Sequence, residues 1–315
     1  MRALVGVAEA RVEGVADAAA KPRSRSLERS VVRDWAELTK LRIAVLVLVT
    51  VAVGAFVAAG GAADPLVLLN VSIGTALLAA GSSALNQVIE RETDARMART
   101  EARPVVTGRI PVRHAAVAGL ALGAAGAAWL LAAVNPLTAL LGALTYALYV
   151  GAYTPLKTRS AVCTIVGAIP GAMPPLLGWT AVTERLDPGA FILFGIVFLW
   201  QFPHFLAIAW MYRDDYARAG LQMLTTRDAT GALTARQMIV YGLALVPVSL
   251  APSLVGMAGA TYFVGALVLS LVFLALSVGF ALRATRERAR YCLLTSLVYL
   301  PALLSLLMID LSAAG

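Results

Sequence analysis

Nine runs of roughly 20 predominantly apolar residues dominate this chain, near 43–63, 65–88, 114–133, 136–153, 161–182, 189–211, 237–257, 259–282 and 291–309. A helix needs about 20 such residues to cross the hydrocarbon core of a bilayer. With no water available there, each span must satisfy its own backbone hydrogen bonds, which leaves helices or a closed barrel. Runs of this length and continuity read as helices. The sequence therefore predicts an all-α polytopic membrane protein, with nine transmembrane helices in one bundle around a central cavity. Only 14% of the residues are charged, against about 25% in soluble domains, so a soluble globule is excluded. Cys163 and Cys292 sit inside apolar runs, form no CxxC pattern, and read as small core residues.

The connectors carry the topology. Of the 26 Lys and Arg residues, nine precede the first run, six lie in 91–113, two in 157–159, four in 213–236 and four in 283–290. Arg185 alone falls in a connector of the other set. By the positive-inside rule this places the N-terminus and the four even-numbered connectors in the cytoplasm, and the C-terminus on the outer side. The expected location is a bacterial inner membrane, with the bilayer as surroundings and the cytoplasmic loops capping the site. The net charge of +8 is then topogenic, and nucleic acid is excluded as a partner. Residues 1–35 have no apolar core and carry Glu9, Glu13 and Asp17. They read as a disordered cytoplasmic tail, with 36–315 as the transmembrane domain.

Polar residues at the ends of spans carry the chemistry. Asn86, Glu90 and Asp94 recur at every fourth position as the second run ends, which stacks three oxygen ligands on one helix face. Hard oxygen donors of this kind suit magnesium, which is completed by substrate phosphates. Arg96, Arg99, Arg103 and Arg109 follow, and guanidinium forks match phosphate oxygens bidentately. Acids that hold a metal beside arginines that hold an anion are what a diphosphate demands. Asp214 and Asp215, flanked by Arg213 and Arg218, form a second acidic cluster after the sixth run. Adjacent residues on a helix diverge by about 100°, so this pair shares one metal only if the helix bends or ends there.

Lys157 reads as a phosphate-holding cation or as a topogenic lysine. Tyr149 and Tyr153, four apart, read as a π-face wall for a carbocation or as an interfacial belt. The broken fifth run, GAIPGAMPPLLGW, is tolerated at membrane depth only against protein or a cavity. His204 lies among aromatics in the sixth run, and His114 reads as a helix-end residue.

The strings NQVIERETDARMARTEARP, YTPLKTRS, GAIPGAMPPLLGW, WQFPHF and YRDDYARAG together resemble the protohaem IX farnesyltransferase family of the intramembrane UbiA-type prenyltransferase superfamily. Members acting on phenolic acids look more like NDxxDxxxD in the first motif, whereas Gln87 and Glu90 follow the haem branch. One departure stands out: where the family usually continues AGxPMLP, this chain has Gln222 and Thr225 in place of the two prolines.

The resemblance implies transfer of the farnesyl group of farnesyl diphosphate to a vinyl group of haem b (protohaem IX), with addition of water and loss of diphosphate, on the route to haem O and haem A. It implies Mg2+ as cofactor, held by Asn86, Glu90 and Asp94 in one cluster and by Asp214 and Asp215 in the other. Arg99, Arg103, Lys157 and Arg213 would bind the diphosphate. Lys157, Tyr149, Tyr153 and His204 would take catalytic roles, His204 by contacting haem or steering water. The downstream haem A synthase is the expected protein partner. The alternative is a related membrane prenyltransferase with a quinone-precursor or other aromatic acceptor. A transporter would place its charges near mid-membrane, whereas here they cluster at one face.

Overall fold

Turn signals at the outer connectors start the helices. Pro65, Pro136 and Pro188 each occupy the first helical position, where a missing N–H costs nothing. Asp64 accepts from the Leu66 amide at 2.7 Å and Asn135 from the Thr138 amide at 2.8 Å, and each satisfies a donor that the first turn would leave open. The computed structural model describes residues 31–314. A short helix α1 (Val31–Leu38) precedes nine apolar elements: α2 (Leu41–Ala58), α3 (Pro65–Ile89), α4 (Val112–Ala133), α5 (Pro136–Leu156), α6 (Cys163–Thr183), α7 (Pro188–Met211), α8 (Ala232–Leu254), α9 (Ala260–Leu282) and α10 (Arg286–Ala314). Among the described residues, eight of these meet the length and hydropathy of a membrane span, and α2 contributes a shorter apolar helix, Ala44–Ala58.

Each of the nine expected spans falls on a helix, eight of them of span length among the described residues. Helix begins at Val31, within the expected tail segment. Hydrogen bonds absent from the local sequence pattern hold the end of α1 in place. Ser83 and Gln87 both donate to the Leu38 carbonyl, at 2.8 and 3.1 Å. The remainder of the expected tail, 1–30, lies outside the described residues.

Glycine sets how closely the helices pack. A Cβ at Gly81 of α3 would lie 2.7 Å from the Gly119 carbonyl of α4, and one at Gly126 would lie 2.9 Å from the Gly74 carbonyl. Small residues let membrane helices approach backbone to backbone, where packing supplies the adhesion that lipid does not. The same holds for α2 on α6, where Gly178 abuts the Val51 carbonyl and Gly54 the Pro175 carbonyl. Burial identifies the centre of the bundle: 61% of the α6 window and 50% of the α7 window are enclosed by protein, against 28% for α4, α5, α8 and α9. Apolar side chains such as Val117, Leu120, Val264 and Val268 remain exposed, as lipid-facing residues should. The prolines of α6 break it at Met173 into two helices. At this level Gln201 of α7 donates to the Ala168 carbonyl at 3.1 Å, and Gly171 leaves room for its amide.

Alternation of the nine spans brings the start of α2 and the α3–α4, α5–α6, α7–α8 and α9–α10 connectors to one end of the bundle. The charged residues that stand out in the sequence gather there.

Candidate functional site

The site begins where α3 runs out. Asn86 is in its last turn, Glu90 is its C-cap residue, and a single further turn, Arg91–Asp94, extends the same face. Asn86 and Asp94 are each only 1% exposed. Burying carboxylates is costly unless cations accompany them, and each acid here has one. Lys157 Nζ lies 2.7 Å from Glu90 Oε1, and Arg103 pairs with Asp94. Burial raises the Asp94 carboxyl above its ordinary range despite the opposing pull of Arg103. At Lys157 burial pulls the pKa down, but Tyr153 and Glu90 outweigh it and hold the ammonium above its usual value.

The lysine is delivered by an irregularity in α5. Pro155 has no N–H to donate, and just before it Leu148–Tyr153 widens into a π-helical turn, a common response to a proline in a helix. Thr154 Oγ1 donates to the Tyr149 carbonyl at 2.8 Å and accepts from Asn86 Nδ2 at 3.3 Å, which ties the turn to α3. The Tyr149 and Tyr153 rings lie 5.3 Å apart. Tyr153 takes Lys157 Nζ over its face at 4.3 Å and leans on Gly167 of α6, where any side chain would meet its ring. The structure therefore brings Asn86, Glu90, Asp94, Arg103, Lys157, Tyr149 and Tyr153 into one neighbourhood.

The α7–α8 connector closes over this group. Its Gln222 amide donates to the Lys157 carbonyl at 2.8 Å, a bond that a proline at 222 could not make. Thr225, the second departure from the family pattern, is buried and donates to the Ala209 carbonyl at 3.2 Å. Arg99 reaches across to the same connector. It donates to Tyr216 Oη at 3.3 Å and lies over the rings of Tyr212 and Tyr216.

Two expected groups make other contacts. Residues Arg213–Arg218 form one continuous helix, so the adjacent acids diverge: the Asp214 side chain is 87% exposed and that of Asp215 23%. Asp214 lies beside Arg213, which itself sits over the Trp210 ring at 4.3 Å; Asp215 pairs with Arg218. In this arrangement the two carboxylates have separate partners. Among the described residues, no group of three His, Cys, Asp or Glu is close enough to hold an ion. His204 is likewise turned elsewhere. Its Nδ1 is 2.7 Å from Ser296 Oγ of α10 and its ring stacks on Trp200, an arrangement that locks α7 to α10. Arg109 is structural too, holding Asp34 at 3.0 Å and the Ala102 carbonyl at 2.8 Å.

One residue escaped the sequence reading. Lys40, in the bend between α1 and α2, donates to Asn86 Oδ1 at 3.2 Å. Burial, with Arg103 and Lys157 nearby, lowers its pKa to about 7. As one of nine cations before the first span, it looked topogenic; only its place directly before the apolar run set it apart.

The donors suit magnesium in kind. Asn86, Glu90 and Asp94 offer hard oxygen atoms, too few to fill a six-coordinate shell, and that shortfall is what substrate phosphates and water make up in such sites. Binding an ion there requires Lys157 and Arg103 to release the carboxylates, which frees both cations for an anion.

Fold and site thus define a polytopic helical membrane protein with an acid-and-base cluster at one membrane end. The chain belongs to the UbiA prenyltransferase family, whose profile matches residues 47–307, and it is a membrane prenyltransferase. A protoheme IX farnesyltransferase from Solibacter usitatus (strain Ellin6076) is 49% identical over 287 residues, spanning 88% of this chain and 98% of the relative. Among solved structures, one of a digeranylgeranylglyceryl phosphate synthase superposes with a TM-score of 0.76 at 14% identity, over 89% of this chain and 98% of that one. A UbiA homologue from Archaeoglobus fulgidus, bound to DMAPP and Mg2+, superposes with a TM-score of 0.60 at 16% identity, over 87% and 99%.

Proposed function

We propose that the protein transfers the farnesyl group of farnesyl diphosphate to a vinyl group of protohaem IX, with water adding to give haem O and diphosphate leaving. The observation that carries this reading is the double ion pair, Lys157–Glu90 and Arg103–Asp94, in a chain similar over most of its length to a protoheme IX farnesyltransferase. Each pair splits into a metal-binding half and a phosphate-binding half.

Asn86, Glu90 and Asp94 would hold Mg2+, which when bound neutralises charge on the departing diphosphate. Lys157 and Arg103 swing from the carboxylates to diphosphate oxygens, and Arg99 approaches from the Tyr212–Tyr216 side. Stabilising the leaving anion lowers the barrier to breaking the allylic C–O bond. Tyr149 and Tyr153 present ring faces to the allylic cation while the vinyl carbon attacks. Asp215, the less exposed member of its pair, is held by Arg218 and would meet the diphosphate only across a bound cation; Arg213, over Trp210, would add positive charge at the anion end. Both substrates partition into lipid, which accounts for a site at a membrane end. By the positive-inside rule the four basic connectors favour a site facing the cytoplasm across a bacterial inner membrane, and haem O would pass to a haem A synthase.

Diphosphate release tests the acceptor. Purified protein with farnesyl diphosphate and Mg2+ should release diphosphate when protohaem IX is added and not when a phenolic acid is added. Release driven by phenolic acids alone would overturn the haem reading and leave the prenyl-donor site standing.

A further inference from the structure

The geometry points to Lys40 as a third diphosphate-binding cation, delivered to the site by a left-handed backbone turn; this rests on the prenyl-diphosphate reading above. Each of the other two cations in the cluster is bonded to a carboxylate, Lys157 to Glu90 and Arg103 to Asp94. Lys40 instead donates to an amide oxygen, Asn86 Oδ1, at 3.2 Å. Three basic side chains gather around two carboxylates, which leaves Lys40 bonded to an amide and not to a carboxylate. Exchanging that neutral amide oxygen for a diphosphate oxygen would add an ion–ion attraction that the amide does not supply, whereas Lys157 and Arg103 would exchange one anionic oxygen for another.

The backbone argues that this placement is purposeful. Lys40 has φ 50° and ψ 49°, one of two non-glycine residues with positive φ among those described. An L-residue adopts that conformation only when its surroundings impose it. Those surroundings are explicit: Ser83 and Gln87 hold the Leu38 carbonyl, Gln87 also holds that of Glu37, and Arg109 holds Asp34. With the chain fixed by α3 on one side and α2 beginning at Leu41 on the other, the bend carries the Lys40 side chain onto Asn86. Glycine would make this turn without strain, so a lysine here supplies something that the turn itself does not need.

On ligand binding, the Lys40 ammonium would leave Asn86 Oδ1 for a diphosphate oxygen, and that amide oxygen would become available to the metal. No covalent step is involved.

The test uses full-length protein in detergent, with inorganic diphosphate and Mg2+ as the probe in a calorimetric titration, and with steady-state KM values for farnesyl diphosphate and protohaem IX. The variants are Lys40→Gly, Lys40→Met and Lys40→Arg. Lys40→Gly relieves the backbone and is expected to keep or raise Tm, yet to weaken diphosphate binding by roughly 10- to 100-fold, the effect of one lost charged hydrogen bond. Lys40→Met should weaken it equally, and Lys40→Arg should restore most of it. The farnesyl diphosphate KM should rise while the haem KM stays unchanged. If Lys40→Gly and Lys40→Met bind diphosphate as the wild type does, Lys40 is only a hydrogen-bond partner of Asn86 and the inference fails, with the parent reading intact. If wild-type protein itself shows no Mg2+-dependent diphosphate binding, the parent reading fails as well.

Discussion

At the scale of single residues, the cluster holds its charges as ion pairs, which on the proposed reading the substrate would take apart. This gives Asp94 and Glu90 different signatures. Burial raises the Asp94 carboxyl, so its ionised form is disfavoured in the fold. A raised carboxyl contributes stability below its unfolded value and loses it as pH rises through the folded one. In magnesium-free detergent solution, Asp94→Asn, which still offers Arg103 an acceptor, should melt at or above the wild-type Tm near pH 7. The difference should close as the pH falls into the carboxylate range, while turnover is abolished at every pH. A wild-type turnover rate in this variant would remove Asp94 from the site. Glu90→Gln should instead cost about 1–3 kcal/mol of stability, because at Lys157 the attraction of Tyr153 and Glu90 outweighs burial, whereas at Asp94 burial outweighs the pull of Arg103. For Lys157, whose pKa is raised, the stabilisation holds below the ordinary lysine range and is lost only in strong alkali. Arg99→Ala should raise the KM for farnesyl diphosphate and leave that for haem alone; a matched rise in both would undo its role.

At the scale of elements, connectors assemble the site and glycines set the distances. The Gln222 amide clasps the α7–α8 connector to the Lys157 carbonyl, so Gln222→Pro should remove one backbone bond. Hydrogen exchange should then quicken at 157–159 and 219–227, with the transmembrane helices unaffected. Unchanged exchange would mean that the clasp does not hold the loop. Gly178 abuts the Val51 carbonyl across the α2–α6 crossing, and a methyl there has nowhere to go but against backbone. Gly178→Ala should destabilise the bundle by about 1–3 kcal/mol through overpacking, read as a lower Tm in detergent; an unchanged Tm would contradict the close crossing.

At the scale of the whole molecule, much was legible in the sequence because membrane physics leaves few options. Apolar length fixes the spans, and basic connectors group the loops at one end. The every-fourth spacing of Asn86, Glu90 and Asp94 survives in space because α3 ends at Ile89 and one more turn continues its face. What stayed hidden depends on tertiary contact. Pro155 marks an irregularity in α5 but not its direction, which aims Tyr153 and Lys157, and nothing local separates Lys40 from eight neighbouring topogenic cations. The divergence of Asp214 and Asp215 follows from an unbroken helix at Arg213–Arg218, which their adjacency left open. His204 could not be placed from its own span, because its partner, Ser296, lies 92 residues away.

The central claim concerns a reaction, and its product can be weighed. Protein purified in detergent would be given protohaem IX, farnesyl diphosphate and Mg2+, and the haem fraction resolved by liquid chromatography and mass spectrometry beside a magnesium-free control. The account expects a species heavier than protohaem by a farnesyl group plus water, present only with Mg2+. Unmodified protohaem in both samples, from protein shown to be folded, would contradict it.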